Sequence, residues 1–200
     1  MRKIHSSDRL LLLMMVLLAS YQIVDGIADA GTFAITAYTV AFGVLLVAGL
    51  LIIILGFGVL DSDIVVIVST IIPLSLSLGL IAEYLPDWRI AYLIFTLIGF
   101  TTIIITRYKA SRMIALVPIA VWHGVSGLVI FILPIYFSLL GLSSVHFIWV
   151  GFGGALIGVV GLMLTFLKSG NPVLSKETIL TAFPGVLFLM TLAFVIGFRF

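Results

Sequence analysis

Residues 10–24, LLLLMMVLLASYQIV, and residues 40–55, VAFGVLLVAGLLIIIL, decide the fold class. Both are apolar nearly throughout, and neither alternates apolar with polar positions. A strand of a membrane barrel would alternate over about ten residues. These stretches therefore read as helices set in hydrocarbon. A helix rises 1.5 Å per residue, so about 20 apolar residues cross a bilayer. Working outward gives seven spans, at 10–27, 33–55, 64–82, 90–106, 113–133, 145–167 and 178–198. Gly56-Phe57-Gly58 is the expected exit of the second span. Asp61 or Asp63 should cap the third, Pro134 should end the fifth, and Ser175 should cap the seventh.

Composition agrees. Of the 200 residues, 63% are hydrophobic and 9% charged, and the mean hydropathy is +1.40. Soluble domains are about a quarter charged, so this chain cannot cover itself with a water-facing surface. The expectation is an all-α, polytopic transmembrane bundle, with residues 1–200 as a single membrane domain. There are no cysteines, which removes disulfides, iron–sulfur clusters and thiolate zinc sites. The basic residues flank the spans and do not gather into a nucleic-acid footprint.

Charge sets the orientation. Arg2, Lys3, Arg9, Arg107, Lys109, Arg112, Lys168 and Lys176 fall on one side of a seven-span chain, and only Arg89 and Arg199 on the other. Positive residues stay in the cytoplasm, so the N-terminus is expected inside and the C-terminus outside, with the cytoplasmic membrane as the location. Merging spans 2 and 3 would throw the later basic loops to the wrong side. Trp88, Tyr84, Tyr92 and Trp149 then fall near the outer interface as an aromatic belt. Ala28-Asp29-Ala30 has the form of a signal-peptide cleavage site, but the preceding apolar run is long for a signal peptide. It is read as a span.

Polar residues within the spans gather toward the outer side. Gln22, Asp25 and Asp29 are spaced i, i+3, i+7 on one face of span 1. Thr32, Thr36 and Thr39 are spaced similarly on span 2. Ser75, Gly79 and Glu83 form a stripe on span 3, and Arg89, Tyr92 and Thr96 another on span 4. His146 opens span 6 on that side, and His123 lies near the midplane. Carboxylates at such depth must face protein or water. The expectation is an outward-facing polar pocket with Gln22, Asp25, Asp29, Thr36, Glu83, Arg89, His123 and His146 as candidate ligand-binding residues. Each also has a plain structural reading: Asp25 and Asp29 as the end of span 1, Glu83, Asp87 and Arg89 as a loop cluster, the threonines bonded back to their own helices.

Span 6 carries Gly154 and Gly158 in a GxxxG pair, suited to close helix packing inside the bundle or to contact with a second copy or a membrane-complex partner. Pro73, Pro118 and Pro184 should kink their helices or free a carbonyl. No metal motif, phosphate loop or nucleophile elbow occurs, and no lysine lies within a span to form a Schiff base. No cofactor is specified, and lipid is the one sure partner. Three functions follow in order of support. The first is a non-enzymatic protein binding a small molecule, lipid or cofactor, possibly as a complex subunit. The second is an ion or solute transporter using His123. The third is a membrane enzyme using Asp25, Glu83 and His146.

Overall fold

A computed structural model describes residues 2–27, 30–169 and 174–199. The described residues contain no strand. Among the described residues eight α-helices follow one another: α1 (Ser6–Asp25), α2 (Thr32–Leu55), α3 (Asp63–Ser69), α4 (Ile71–Tyr84), α5 (Arg89–Lys109), α6 (Arg112–Leu139), α7 (Ile148–Ser169) and α8 (Lys176–Arg199). Helices α3 and α4 together form one crossing segment, Asp63–Tyr84. Among the described residues six segments are long and apolar enough to cross a bilayer, and Val145–Val159 adds a shorter apolar helix. The protein is an integral, multi-pass, all-α membrane bundle.

Contacts between distant residues fix the alternation of the spans. Arg2, just before α1, donates to the Leu180 carbonyl at the start of α8 at 3.2 Å. Arg199, at the end of α8, lies over the Tyr21 ring near the end of α1, 5.7 Å from its centroid. The first and last spans are therefore parallel, which requires an odd number of crossings. Arg107 pairs with Asp63 at 2.7 Å and Lys176 with Asp61 at 3.3 Å, gathering these ends at the same face of the bundle as Arg2. This face is called the basic end below, and the opposite one the far end.

Several helix boundaries have local causes. Gly26 (φ 72°) and Gly56 (φ 76°) stop α1 and α2, a backbone conformation that costs a residue with a Cβ more than it costs glycine. The first span thus ends at Asp25, two residues short of the expected limit. The cap expected from Asp61 or Asp63 is not made. Ser62 holds the N-cap position without a side-chain bond, because both carboxylates are drawn to cations on α5 and α8. Ser175 does cap α8, accepting from the Thr178 N–H at 3.1 Å.

The prolines act differently from one another. Pro73 interrupts the third span: α3 ends at Ser69, the residue whose carbonyl the proline ring would strike. The Ser69 and Thr70 hydroxyls bond back to Val66 and Ile67 at 2.8 and 2.7 Å, so the break satisfies itself. Pro134 does not end the fifth span as expected. Helix α6 runs on to Leu139 with Pro134 fully buried inside it, since a chain surrounded by lipid has no water to take up unwound backbone. Pro184 frees the Leu180 carbonyl, and that is the carbonyl Arg2 occupies.

Arg2 has three partners: the Leu180 carbonyl, the Asp8 carboxylate and the Phe57 ring. It grips Asp8 through both guanidinium nitrogens, at 2.9 and 3.1 Å, and lies 5.3 Å from the Phe57 ring centroid. Asp8 also accepts from the His5 N–H at 2.8 Å, closing a capping box at the start of α1. The pair's side chains are only 13% and 5% exposed.

The core lies between α1, α2, α4 and α8, where Leu12, Met15, Phe42, Leu45, Leu80, Met190 and Phe194 are buried together. Helix α7 docks through its glycines. A Cβ at Gly154 would press on Ile130 of α6 at 2.7 Å, one at Gly151 on the Phe131 carbonyl at 2.8 Å, and one at Gly153 on Phe194 of α8 at 2.6 Å. Gly158, expected to work with Gly154, would meet nothing within 4 Å. The close approach thus runs through Gly151, Gly153 and Gly154, because α6 and α8 cross α7 nearer its far end. Helix α5 sits at the edge with Thr96, Gly99 and Ile103 buried. Trp122 of α6 lies where a Gly99 side chain would be and donates to the Phe95 carbonyl at 2.9 Å.

Candidate polar site at the far end

The site is built around Tyr38, a residue sequence reasoning passed over. Tyr38 is 2% exposed on α2. Its ring lies against Gly79 of α4, where an added Cβ would come within 2.6 Å of Cδ1. Its hydroxyl donates to Glu83 Oε2 at 2.8 Å. Gly79 and Glu83 are one turn apart on the same helix face. The stripe of small and polar residues on the third span is thus a socket: glycine receives the ring and the carboxylate receives the hydroxyl.

Glu83 is half-buried, and no cation pairs with it among the described residues. The Tyr84 hydroxyl adjoins it as well and reaches Ser143 Oγ at 3.4 Å. Around this network the aromatic rings form a continuous wall. Tyr38 meets Phe198 at 4.9 Å, Phe198 meets Phe147 at 6.0 Å, and Phe147 stacks on Tyr84 at 4.8 Å between centroids. These contacts are of the length at which aromatic pairs attract.

On the other side of Tyr38, α1 presents Gln22, 3% exposed. Its Nε2 donates to the Gly26 carbonyl at 2.6 Å, while its Oε1 is buried with no partner. The amide cannot turn over, since that would set its oxygen against the Gly26 carbonyl. A small cavity of about 10 Å³ adjoins it, bounded by Gln22 and Gly26 of one segment and Ile35, Tyr38, Thr39 and Phe42 of the other. That volume is about one water molecule.

The remaining sequence candidates do not converge on this cavity. Asp25 is exposed and accepts from the Tyr21 hydroxyl at 2.8 Å, one turn back on its own helix. Thr36 is exposed and bonds back to the Thr32 carbonyl at 2.8 Å. Arg89 lies 5.5 Å from the centroid of Phe33. His146 is exposed beside Ser144, whose hydroxyl accepts from its backbone N–H at 3.2 Å. His123 is half-buried on α6 opposite α7, where a Cβ at Gly161 would sit 3.7 Å from its Nε2. Asp29 lies outside the described residues. Among the described residues no three His or carboxylate side chains are grouped to hold a metal, and Asp25, Glu83 and His146 form no such group.

Two residues of the expected aromatic belt, Trp88 and Trp149, are exposed at the far end. Tyr84 and Tyr92 turn inward. The Tyr92 hydroxyl is buried near Ser77 and Ser126, and it and Ser126 Oγ have no partner in bonding geometry. A sequence signal for Tyr38 did exist. It lies on the turn after Thr32 and Thr36 and faces a glycine four residues before a glutamate, but the pairing of α2 with α4 had to be known to use it.

Comparison with protein-family models, with curated proteins and with solved structures finds no match for this chain.

Proposed function

We propose that this multi-pass membrane protein is a non-enzymatic binding protein, with its basic end in the cytoplasm and a ligand site in the outer half of the bundle. The ligand is a small molecule, a lipid or a cofactor. One observation carries the reading: Tyr38 stands between the half-buried Glu83 carboxylate, which has no cation among the described residues, and the buried, partnerless Gln22 oxygen, which adjoins a small cavity. Buried acceptors without donors are costly, and a half-buried carboxylate without a cation is costlier still.

The transport reading has less support. Its midplane residue, His123, would need polar routes in both directions. Residues 10–18 of α1 and 44–55 of α2, toward the basic end, are apolar, and the break at Thr70 is closed by its own hydroxyls.

The test is ligand retention. Protein purified gently from its membrane should carry a bound non-protein species, seen by native mass spectrometry. Tyr38→Phe and Glu83→Gln should lower its occupancy about tenfold, by loss of a hydrogen bond to a charged group, while the helical content holds. Equal occupancy in the wild type and both variants, or none in any, would remove the site.

A further inference from the structure

The groups left wanting around Tyr38 are all acceptors. Gln22 Oε1 has no donor, and the Glu83 carboxylate receives hydroxyls but no cation. Thr39 lines the same cavity as Gln22 and offers a further hydroxyl oxygen. The two far-end arginines are engaged elsewhere, Arg89 over Phe33 and Arg199 over Tyr21.

We infer that the cavity between α1 and α2 seats the primary ammonium head of an amine, carried either by a free small molecule or by an ethanolamine-type lipid. This rests on the binding reading above and names its ligand class. Size is the first reason. A cavity of about 10 Å³ takes a group of water's dimensions, which an –NH3+ head matches and a trimethylammonium head exceeds. Polarity is the second. A carbonyl, carboxylate or phosphate oxygen entering there would meet Gln22 Oε1 lone pair to lone pair, whereas an ammonium group has donors only. The walls are the third. The Tyr38 and Phe42 rings line the cavity, and aromatic faces attract cations. Finally, the cavity lies toward the far end of α1 and α2, at the level where lipid headgroups and aqueous solutes both reach.

The test uses the full chain in nanodiscs of phosphatidylcholine alone. Ethylamine is titrated by calorimetry, and phosphatidylethanolamine is supplied in a second set of discs and followed by native mass spectrometry. Binding in the first arm assigns a free amine, and selective retention in the second assigns the lipid. Either result should weaken about tenfold or more in Gln22→Leu, through loss of a charge-assisted bond, and more mildly in Thr39→Val. The second variant keeps the question open to decision should the first fold poorly. Tetramethylammonium should not bind. The inference is overturned by silence of both amines, which leaves water as the occupant, by tetramethylammonium binding as well as ethylamine, or by amine binding that ignores both substitutions. Retention of a neutral or anionic ligand that is lost in Glu83→Gln would overturn the ammonium head and leave the site itself standing.

Discussion

Arg2 shows how far a single residue can differ from its place in a composition. In the sequence it is one of eight positive charges that set orientation. In the fold its guanidinium is largely buried, clamped to Asp8 and capping the carbonyl that Pro184 frees. Removing one member of such a pair strands the other. Arg2→Ala should therefore destabilise the bundle by about 3–5 kcal/mol, read as a fall in the unfolding midpoint in detergent. The double change Arg2→Met, Asp8→Leu should recover most of that loss, because an apolar pair of similar volume avoids stranding a charge. No rise from the single to the double variant would mean that the clamp is not the cause. Asp25 is the opposite case. Its depth in the apolar run suggested a buried carboxylate, but Gly26 ends the helix beside it and leaves it exposed. Residue-level reading succeeded where chemistry is local, as with the Ser175 cap. It failed where the partner is more than 40 positions away, as with Tyr38 and Glu83.

At the scale of elements, hydropathy located the apolar helices and misjudged some ends. Pro73 and Pro134 carry the same ring, yet one splits its span and the other does not. Pro73 has Ser69 and Thr70 just before it to absorb the freed carbonyls. Pro134 has no hydroxyl close before it, and the helix stays whole. Replacing Ser69 and Thr70 by alanine should thus cost more than either serine or threonine elsewhere on the lipid face, about 1 kcal/mol per lost bond, measured by thermal unfolding. Helix α5 is docked in part by one insertion, Trp122 at Gly99. Gly99→Leu should expel the indole and weaken the fold by roughly 1–3 kcal/mol. With Trp88 and Trp149 replaced by Phe, the remaining tryptophan fluorescence reports the move directly. An unchanged spectrum would show that α5 docks by other contacts. The glycine pattern of α7 was legible as a packing face, but the glycines that touch backbone were not, since their identity depends on where α6 and α8 cross.

At the scale of the molecule, the count of Lys and Arg proved a sound guide to parity. An odd number of spans was required by charge, and the parallel course of α1 and α8 shows it. Orientation itself can be checked simply, because the chain has no cysteine. Leu142→Cys, at an exposed far-end turn, should react with an impermeant maleimide on intact cells. Ser111→Cys should react only after permeabilisation. The reverse pattern would invert the topology and move the amine site to the cytoplasmic leaflet. The arginine that binds Leu180 also imposes an order of events. The two residues of this bond lie 178 positions apart, and ribosomes add about 5–20 residues per second. Helix α1 must therefore wait on the order of ten to thirty seconds of synthesis before this bond to α8 can form. Until α8 has been made, the Leu180 carbonyl is missing from the guanidinium and α1 and α8 cannot close on each other.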